Sequence, residues 1–403
     1  MTLGYAKLQD GRIDGADGAG GVDSTHEPPH TIHSNWNKAD ANLEEITLDD
    51  LSEPVEPAPL KRSLIAGCGP LGRNYTPSSI YESAAPVEAV KVALDNGVRA
   101  FDNAPHYAPA EAVLGRALSI LEPLHPRHTY TLITKVGHYG DEVNYSEARI
   151  HESLRRSFAY LNTDYLDIVY LHDVEFVAEA IADINEAGQP TRVLDNLQKY
   201  NLTGEPRILG KGDEEVLNAL RILNGYKKKG KIRNIGVSAL PLPTLLRVSR
   251  LAISHLGKDS LQYVMSYANH GPQALAPPSY IQTNFEAFEG LFDDSISLVT
   301  ASPFAMGLLT PQGPPDWHPA PDGFKDTAKR TVKALGQEAS KAAASFSMRK
   351  YTTVSGWQNA DEVKQGLEAY HDSKASESDL ERKLVDAFIK SGWSGYVWSS
   401  GRV

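Results

Sequence analysis

The chain has 403 residues, 40 Lys+Arg against 51 Asp+Glu, one cysteine and no apolar run long enough to cross a bilayer. At about 150 residues per domain that length allows two or three domains, although single α/β barrels of about 250 residues and more are common. The lone Cys68 excludes an intramolecular disulfide and a thiolate metal cluster, and a net charge of −11 argues against a nucleic-acid binder, which needs a basic face.

The acidity is local. Residues 1–60 hold 3 Lys+Arg and 12 Asp+Glu, a net of −9, which leaves 37 against 39, or −2, for residues 61–403. This leader (GRIDGADGAGGVDST, SEPVEPAP) has neither helical nor strand periodicity, so it is expected to be mostly disordered, with at most a short helix around Ala41–Leu51. It is too acidic for a transit peptide and lacks the apolar segment of roughly 7 to 15 residues that a signal peptide carries. A cytoplasmic location and no membrane partner are therefore expected.

From Ser63 onward apolar runs alternate with amphipathic stretches. In chain order the runs are SLIAG, VRAFD, YTLITK, YLDIVYLH, IRNIGVS, LQYVMS, ISLVTAS and YTTVSG. They are too continuously apolar for one wet face, as strands of a parallel sheet buried on both sides are. Between them, PVEAVKVALDNG places Val87, Val90 and Leu94 on one helical stripe and ends at Gly97. SEARIHESLRRSFAYLN takes Ser146 as its N-cap, with Ile150, Leu154, Phe158 and Leu161 on one face. DEEVLNALRILNGYKKKG gathers Val216, Leu220 and Leu223 and stops at Gly230.

Strand ends recur at the spacing of strand–helix units. Asp102 to Lys135 is 33 residues, Lys135 to His172 is 37, Ser238 to Ser302 is 64, and Ser302 to Ser355 is 53. His172 to Ser238 is 66 with only one strongly periodic helix, so residues 178–212 are expected to be an insertion after strand four. Eight strands and their helices give one (β/α)8 TIM barrel over residues 61–403. The seventh helix runs through SKAAASFSMRK straight into YTTVSG, without the usual connection of about 2 to 6 residues. Strand eight is thus expected to be displaced, or the chain to be short of a segment there.

Some motifs are set aside. GCGPLG (Gly67, Gly69, Gly72) matches a dinucleotide fingerprint, but Pro70 sits inside it and RNYTPSSIYESA separates it from the next helix, so no helix N-terminus can cradle a pyrophosphate. It is expected to be a turn at the barrel rim. KKKGKIR reads as a solvated helix end. HTIH (His30 to His33) and HPRH (His125 to His128) lack converging carboxylates, so no metal site is expected.

Asp102, Lys135 and His172 close strands two, three and four, and Tyr107 follows Asp102 by five residues. Neighbouring strands bring these side chains to one mouth. A tyrosine titrates near 10 unperturbed, so Lys135 is expected to lower that value, Asp102 to hold the ammonium, and His172 to orient a substrate oxygen. With neither a metal site nor a thiol pair, a bound nicotinamide is the natural hydride partner.

At these residues the sequence resembles a family. FDNAPHY with LGRAL, LITKVG, SLRRSFAYLNTDYLDIVYLHDVE, GKIRNIGVS and ASPFAMGLLT are similar to the aldo-keto reductases from about Leu64 to Tyr370. HDVEF, SALPLP, SYAN and GLLTPQGPPDWHP resemble the branch that oxidises D-arabinose and L-galactose. The resemblance implies a catalytic tetrad of Asp102, Tyr107, Lys135 and His172. It also implies a cofactor across the rim, with Ser238 near the carboxamide and Ser302, Pro303, Met306, Gly307 and Leu308 along the pyrophosphate. Ala239 and Ala301 replace an asparagine and a stacking aromatic, so the cofactor is expected to be held more by backbone. Where users of NADPH carry Lys and Arg, this chain has Gly356 and Glu362, which favours NAD over NADP. Trp317 and His318 are candidates for a substrate wall.

The expected activity is NAD-dependent oxidation of a free aldose at C1, D-arabinose foremost. An NADPH-dependent carbonyl or aldehyde reductase and a catalytically weakened cofactor-binding scaffold stay open. The sequence carries no signature of oligomeric state.

Overall fold

The computed structural model describes residues 60, 62–181, 187–336 and 338–400. Apart from Leu60, the expected leader and its short helix lie outside the described residues. All eight apolar runs form strands: β1 (Leu64–Gly67), β2 (Ala100–Asp102), β3 (Thr131–Val136), β4 (Leu166–Leu171), β5 (Ile232–Ala239), β6 (Tyr263–Tyr267), β7 (Ser297–Ala301) and β8 (Thr352–Gly356). Each pairs in parallel with its neighbours in the chain, and β8 pairs with β1 to close the barrel. The fold is the expected (β/α)8 TIM barrel.

The longer helices are α1 (Ala85–Asp95), α2 (Ala110–Leu121), α3 (Glu147–Tyr160), α4 (Lys211–Lys228), α5 (Leu242–Leu256), α6 (Asn284–Glu289), α7 (Asp322–Leu335), α8 (Glu338–Met348), α9 (Ala360–Asp372) and α10 (Asp379–Ser391). No helix among the described residues is long and apolar enough to cross a membrane. α1 and α4 end where the sequence places them, at Gly97 and Gly230 with φ of +86° and +70°. Ser146 does occupy the N-cap of α3, but its side chain makes no capping hydrogen bond. Its N–H instead donates to Asn144 Oδ1 at 3.0 Å.

One apolar layer lies between strands and helices, and a second fills the barrel. Ile65, Ile133, Ile168, Tyr170, Met265, Val299 and Val354 form the interior. Tyr170 has room because β5 carries Gly236 opposite it, where a Cβ would stand 2.4 Å from the tyrosine ring. A further cluster, with Leu308, Phe324, Phe388 and Trp398, packs α7 and α10 under the segment that follows β7.

Strand eight is not displaced. α8 stops at Met348 and Arg349–Tyr351 form a three-residue link, after which Leu64 pairs with Thr353 and Gly67 with Gly356. Arg349 makes so short a link workable: its guanidinium reaches the fully buried Glu381 carboxylate at 2.5 Å and the carbonyl of Ala375. Apolar periodicity cannot register a turn that is held by partners distant in sequence.

Between β4 and α4 the chain makes 3-10 turns at Val174–Phe176 and Pro190–Asn196. It is fastened by a buried bidentate pair, Arg247 to Asp213 at 2.8 Å on both oxygens, and Glu179 ties in through its N–H to Asp213 Oδ1 at 3.0 Å. At the N-terminal end of the barrel, Asp167 links three strands. Its carboxylate accepts from Arg127 and Arg233 at 2.8 Å each and from the N–H of Leu132 at 2.8 Å. Both guanidiniums also lie over the Tyr165 ring, at 3.9 and 4.2 Å.

Asp167→Ala leaves two cations without their shared carboxylate. It should cost about 3–5 kcal/mol in urea unfolding and leave turnover per folded molecule unchanged, because Asp167 sits at the end opposite Tyr107. An unchanged midpoint would contradict this account of the barrel base.

Candidate active site

Asp102, Tyr107, Lys135 and His172 converge at the C-terminal mouth. Asp102 is the last residue of β2, Lys135 lies one residue before the end of β3, and His172 follows β4 directly. Tyr107 ends a 3-10 turn, Pro105–Tyr107, whose Tyr107 N–H donates to Ala104 O at 3.0 Å. Lys135 Nζ donates to Asp102 Oδ1 at 2.5 Å and to Asn103 O at 2.9 Å, and it stands 4.9 Å from the Tyr107 ring centre. The Tyr107 and His172 rings meet edge to face at 5.9 Å.

The glycine motif turns out to support this tyrosine. A 3-10 turn, Gly69–Leu71, follows β1, and the next α-helix begins only at Ser78. Gly72 lets that turn lie against the tyrosine's backbone, since a Cβ there would sit 1.9 Å from the Tyr107 carbonyl oxygen. Cys68, the second residue of that motif, is buried. It is 2% exposed, and burial, then the Asp102 charge, push its thiol far above the ordinary range. Oxidation there is disfavoured because the thiolate is the reactive form.

Lys135 does not bring the Tyr107 pKa below its ordinary value in the free site. Burial first, then the charges of Asp102 and Asp173, raise it well above 10. The ammonium points at Asp102, so the pair presents little net charge to the partly buried phenol. Burial likewise carries Asp102 above the usual carboxylate value, against the pull of Lys135. His172 is held well below 6.5 by burial and therefore stays neutral. The site thus keeps a phenol and a neutral imidazole side by side. The phenol can give a proton to a carbonyl oxygen, and for the reverse reaction it must first lose one.

Three neighbours were not foreseen. His138 Nδ1 meets Asp173 Oδ2 at 2.7 Å, His172 Nε2 lies 3.6 Å from the same oxygen, and the His106 ring stands 4.1 Å from that of His138. Asp173 is buried, yet the facing His172 and His138 rings hold its carboxylate below the usual range. The signal was available in the sequence, since these residues flank the very ones read from the strand ends.

The expected cofactor residues are distributed unevenly. Ser238 is buried near the end of β5, its Oγ accepting from Asp173 N–H at 3.4 Å. Ser302, Ala305, Met306 and Gly307 have positive φ, and Ser302 Oγ accepts from Met306 N–H at 2.7 Å. Pro303 is buried, and the Leu308 side chain is spent in the apolar cluster under this turn. Gly356 packs under Pro70, where a Cβ would meet the ring at 2.7 Å. Glu362, in the first turn of α9, accepts from Gln358 N–H at 2.9 Å. Trp317 is partly exposed and lies edge-on to Tyr75 at 5.4 Å. His318, however, is buried with both ring nitrogens engaged, by Ala305 O at 3.1 Å and Ala320 N–H at 3.1 Å. Its ring cannot serve as a wall for a sugar.

Among the buried polar atoms without a partner in the described residues, three follow strand ends: Asn103 Nδ2 after β2, His172 Nδ1 after β4 and Asn269 Oδ1 after β6. Such unspent groups suit a ligand rich in amides and hydroxyls, as a nicotinamide dinucleotide is.

A family model described as the aldo/keto reductase family matches residues 63–383. The L-galactose dehydrogenase of Arabidopsis thaliana is 27% identical over 343 residues, 83% of this chain and 92% of that protein. The D-arabinose 1-dehydrogenase of Saccharomyces cerevisiae is 30% identical over 369 residues, 87% of this chain and 98% of that protein. A solved aldo-keto reductase from Bacillus halodurans, in its holo form, shares the fold with a TM-score of 0.53 at 19% identity, covering 85% of this chain and 95% of that one. Matched along the whole barrel, and 30% identical to a relative it covers almost end to end, the chain belongs to the aldo/keto reductase family of nicotinamide-dependent oxidoreductases.

Proposed function

We propose that this enzyme oxidises a free aldose at C1 with NAD, giving the aldonolactone and NADH, and that D-arabinose is the favoured substrate. The observation that carries the chemistry is the meeting of Tyr107, Lys135, Asp102 and His172 at one mouth, with Lys135 Nζ 2.5 Å from Asp102 and 4.9 Å from the Tyr107 ring centre. Similarity to two sugar dehydrogenases over most of their lengths supports the substrate class. D-arabinose and L-galactose share configuration over their common ring carbons, so space around one hydroxymethyl separates them.

A bound nicotinamide supplies the acceptor for the C1 hydride. Tyr107, once deprotonated, takes the proton of the anomeric hydroxyl as the C1–O bond gains double-bond character. Neutral His172 hydrogen-bonds the same oxygen through Nε2 and fixes its angle to the phenol. Lys135, anchored by Asp102, faces the Tyr107 ring and stabilises the phenolate when it forms. Trp317 with Tyr75 forms an aromatic rim on which an apolar sugar face can rest.

The preference for NAD rests on Gly356 and Glu362. Pro70 leaves no room for a side chain at 356, and a carboxylate at 362 repels a 2′-phosphate while accepting from a free ribose hydroxyl. The in-register β8 supports the catalytic reading over a weakened scaffold.

Tyr107→Phe should lower NADH formation by about 10²–10⁴-fold, followed at the NADH absorbance band with D-arabinose, L-galactose and L-fucose, while NADH still quenches protein fluorescence. Wild-type protein that makes no NADH with any of the three sugars refutes the aldose reading. In a separate quenching titration the wild type should prefer NADH, and Glu362→Lys should shift the ratio toward NADPH by about tenfold or more. Tight NADPH binding by the wild type with none for NADH would favour a carbonyl reductase instead.

A further inference from the structure

The mouth of the barrel holds more imidazole and carboxylate than proton transfer from a tyrosine requires. His138, His172 and Asp173 each offer a ligand atom, and these atoms lie within 4.8 Å of one another. They come from three different positions in the chain: His138 is the first residue of a short hairpin after β3 (His138–Tyr139 against Glu142–Val143), His172 follows β4, and Asp173 has a left-handed backbone with φ +53°. The Asp173 carboxylate is the hub, 2.7 Å from His138 Nδ1 and 3.6 Å from His172 Nε2.

We propose that His138, His172 and Asp173 form a binding site for a divalent transition-metal ion of the zinc class, and that its occupation withdraws His172 from the substrate and blocks turnover. Two imidazoles and a carboxylate, with a position left open, are the donor set that zinc takes in open sites. At bond lengths of about 2.0–2.1 Å, tetrahedral ligand atoms stand about 3.4 Å apart. The His172–Asp173 separation already matches, the His138–Asp173 contact must open by about 0.7 Å, and the widest pair must close by at most about 1.4 Å. Side-chain rotations supply shifts of that size.

A second observation points the same way. His106 Nδ1 is buried without a partner among the described residues, and its ring lies 4.1 Å from His138 and 5.7 Å from His172, centre to centre. His106 is therefore available for the fourth position, which water otherwise takes. The ion would introduce no redox step. Its effect is competition for His172 Nε2, the atom assigned above to the sugar oxygen.

The test uses tag-free, chelator-treated full-length protein titrated with Zn²⁺ by calorimetry and with Co²⁺ by visible absorption. The expected result is one equivalent bound, with the intense bands of low-coordinate Co²⁺, and an affinity lowered by about tenfold or more in His138→Gln and in Asp173→Asn. Asn tolerates the left-handed backbone at 173, and His138→Gln keeps the test open if the other variant misfolds. Zn²⁺ should inhibit turnover reversibly with EDTA, and the inhibiting concentration should rise by the same factor in His138→Gln relative to that variant's own basal rate. His30→Gln/His33→Gln should retain the equivalent. The proposal is overturned if no stoichiometric ion binds, if both mouth variants bind as wild type does, or if the equivalent is lost only with His30 and His33. The binding arm needs no turnover, so its failure is distinct from failure of the aldose reading.

Discussion

The buried ion pair between Lys135 and Asp102 is the constraint around which the mouth of this barrel is arranged. Both side chains are almost sealed from water, at 2% and 4% exposure, and the two atoms meet at 2.5 Å. Charges so placed are costly to desolvate, and removing one partner typically costs about 3–5 kcal/mol because the other is left unpaired. The pair also constrains register: β2 and β3 must align Asp102 with Ile133 for the Lys135 ammonium to reach across, as they do. Its functional consequence is electrostatic. While Asp102 neutralises Lys135, the neighbouring phenol is governed by burial and stays protonated, a poised acid whose conversion to a base depends on how strongly the ammonium is felt.

Around that pair the barrel supplies rigidity and the segments beyond the strands supply chemistry. Tyr170 and the aliphatic layers fill the interior beneath the pair, and Asp167 ties three strands at the opposite end. The segment after β7 is seated from below by Leu308, Phe324 and Trp398, so its unusual backbone is set by packing before any ligand arrives. The Leu308 side chain is spent in that seat, and the buried His318 ring beside it is engaged by Ala305 O and Ala320 N–H.

Much of the fold was legible because a parallel barrel writes itself as apolar runs at regular intervals, and the polar residue ending each run marks the rim. Asp102, Lys135 and His172 were found that way, and Tyr107 came with them. What the pattern could not convey is direction and burial. It placed Lys135 beside Tyr107 with Asp102 holding the ammonium, but not that burial outweighs that charge at the phenol. The junction at Arg349 looked broken because its partners, Glu381 and the Ala375 carbonyl, come later in the chain. His106, His138 and Asp173 were missed although each lies within three residues of a residue already chosen, since nothing in a linear pattern shows that loops from three strands fold over one point.

We infer that the Lys135 charge, released from or shared with Asp102, sets the protonation of Tyr107. The direct measurement is the pH dependence of NADH formation from D-arabinose by wild type and by Lys135→Met, with folding checked by circular dichroism. Because the Tyr107 pKa is raised in the free site and the oxidation needs the phenolate, the wild-type rate should climb with pH until the phenol is ionised in the loaded enzyme. Without the ammonium the climb should move to higher pH, with a loss of about 10²-fold or more at neutral pH. A Lys135→Met enzyme that keeps the wild-type profile and rate would contradict the account.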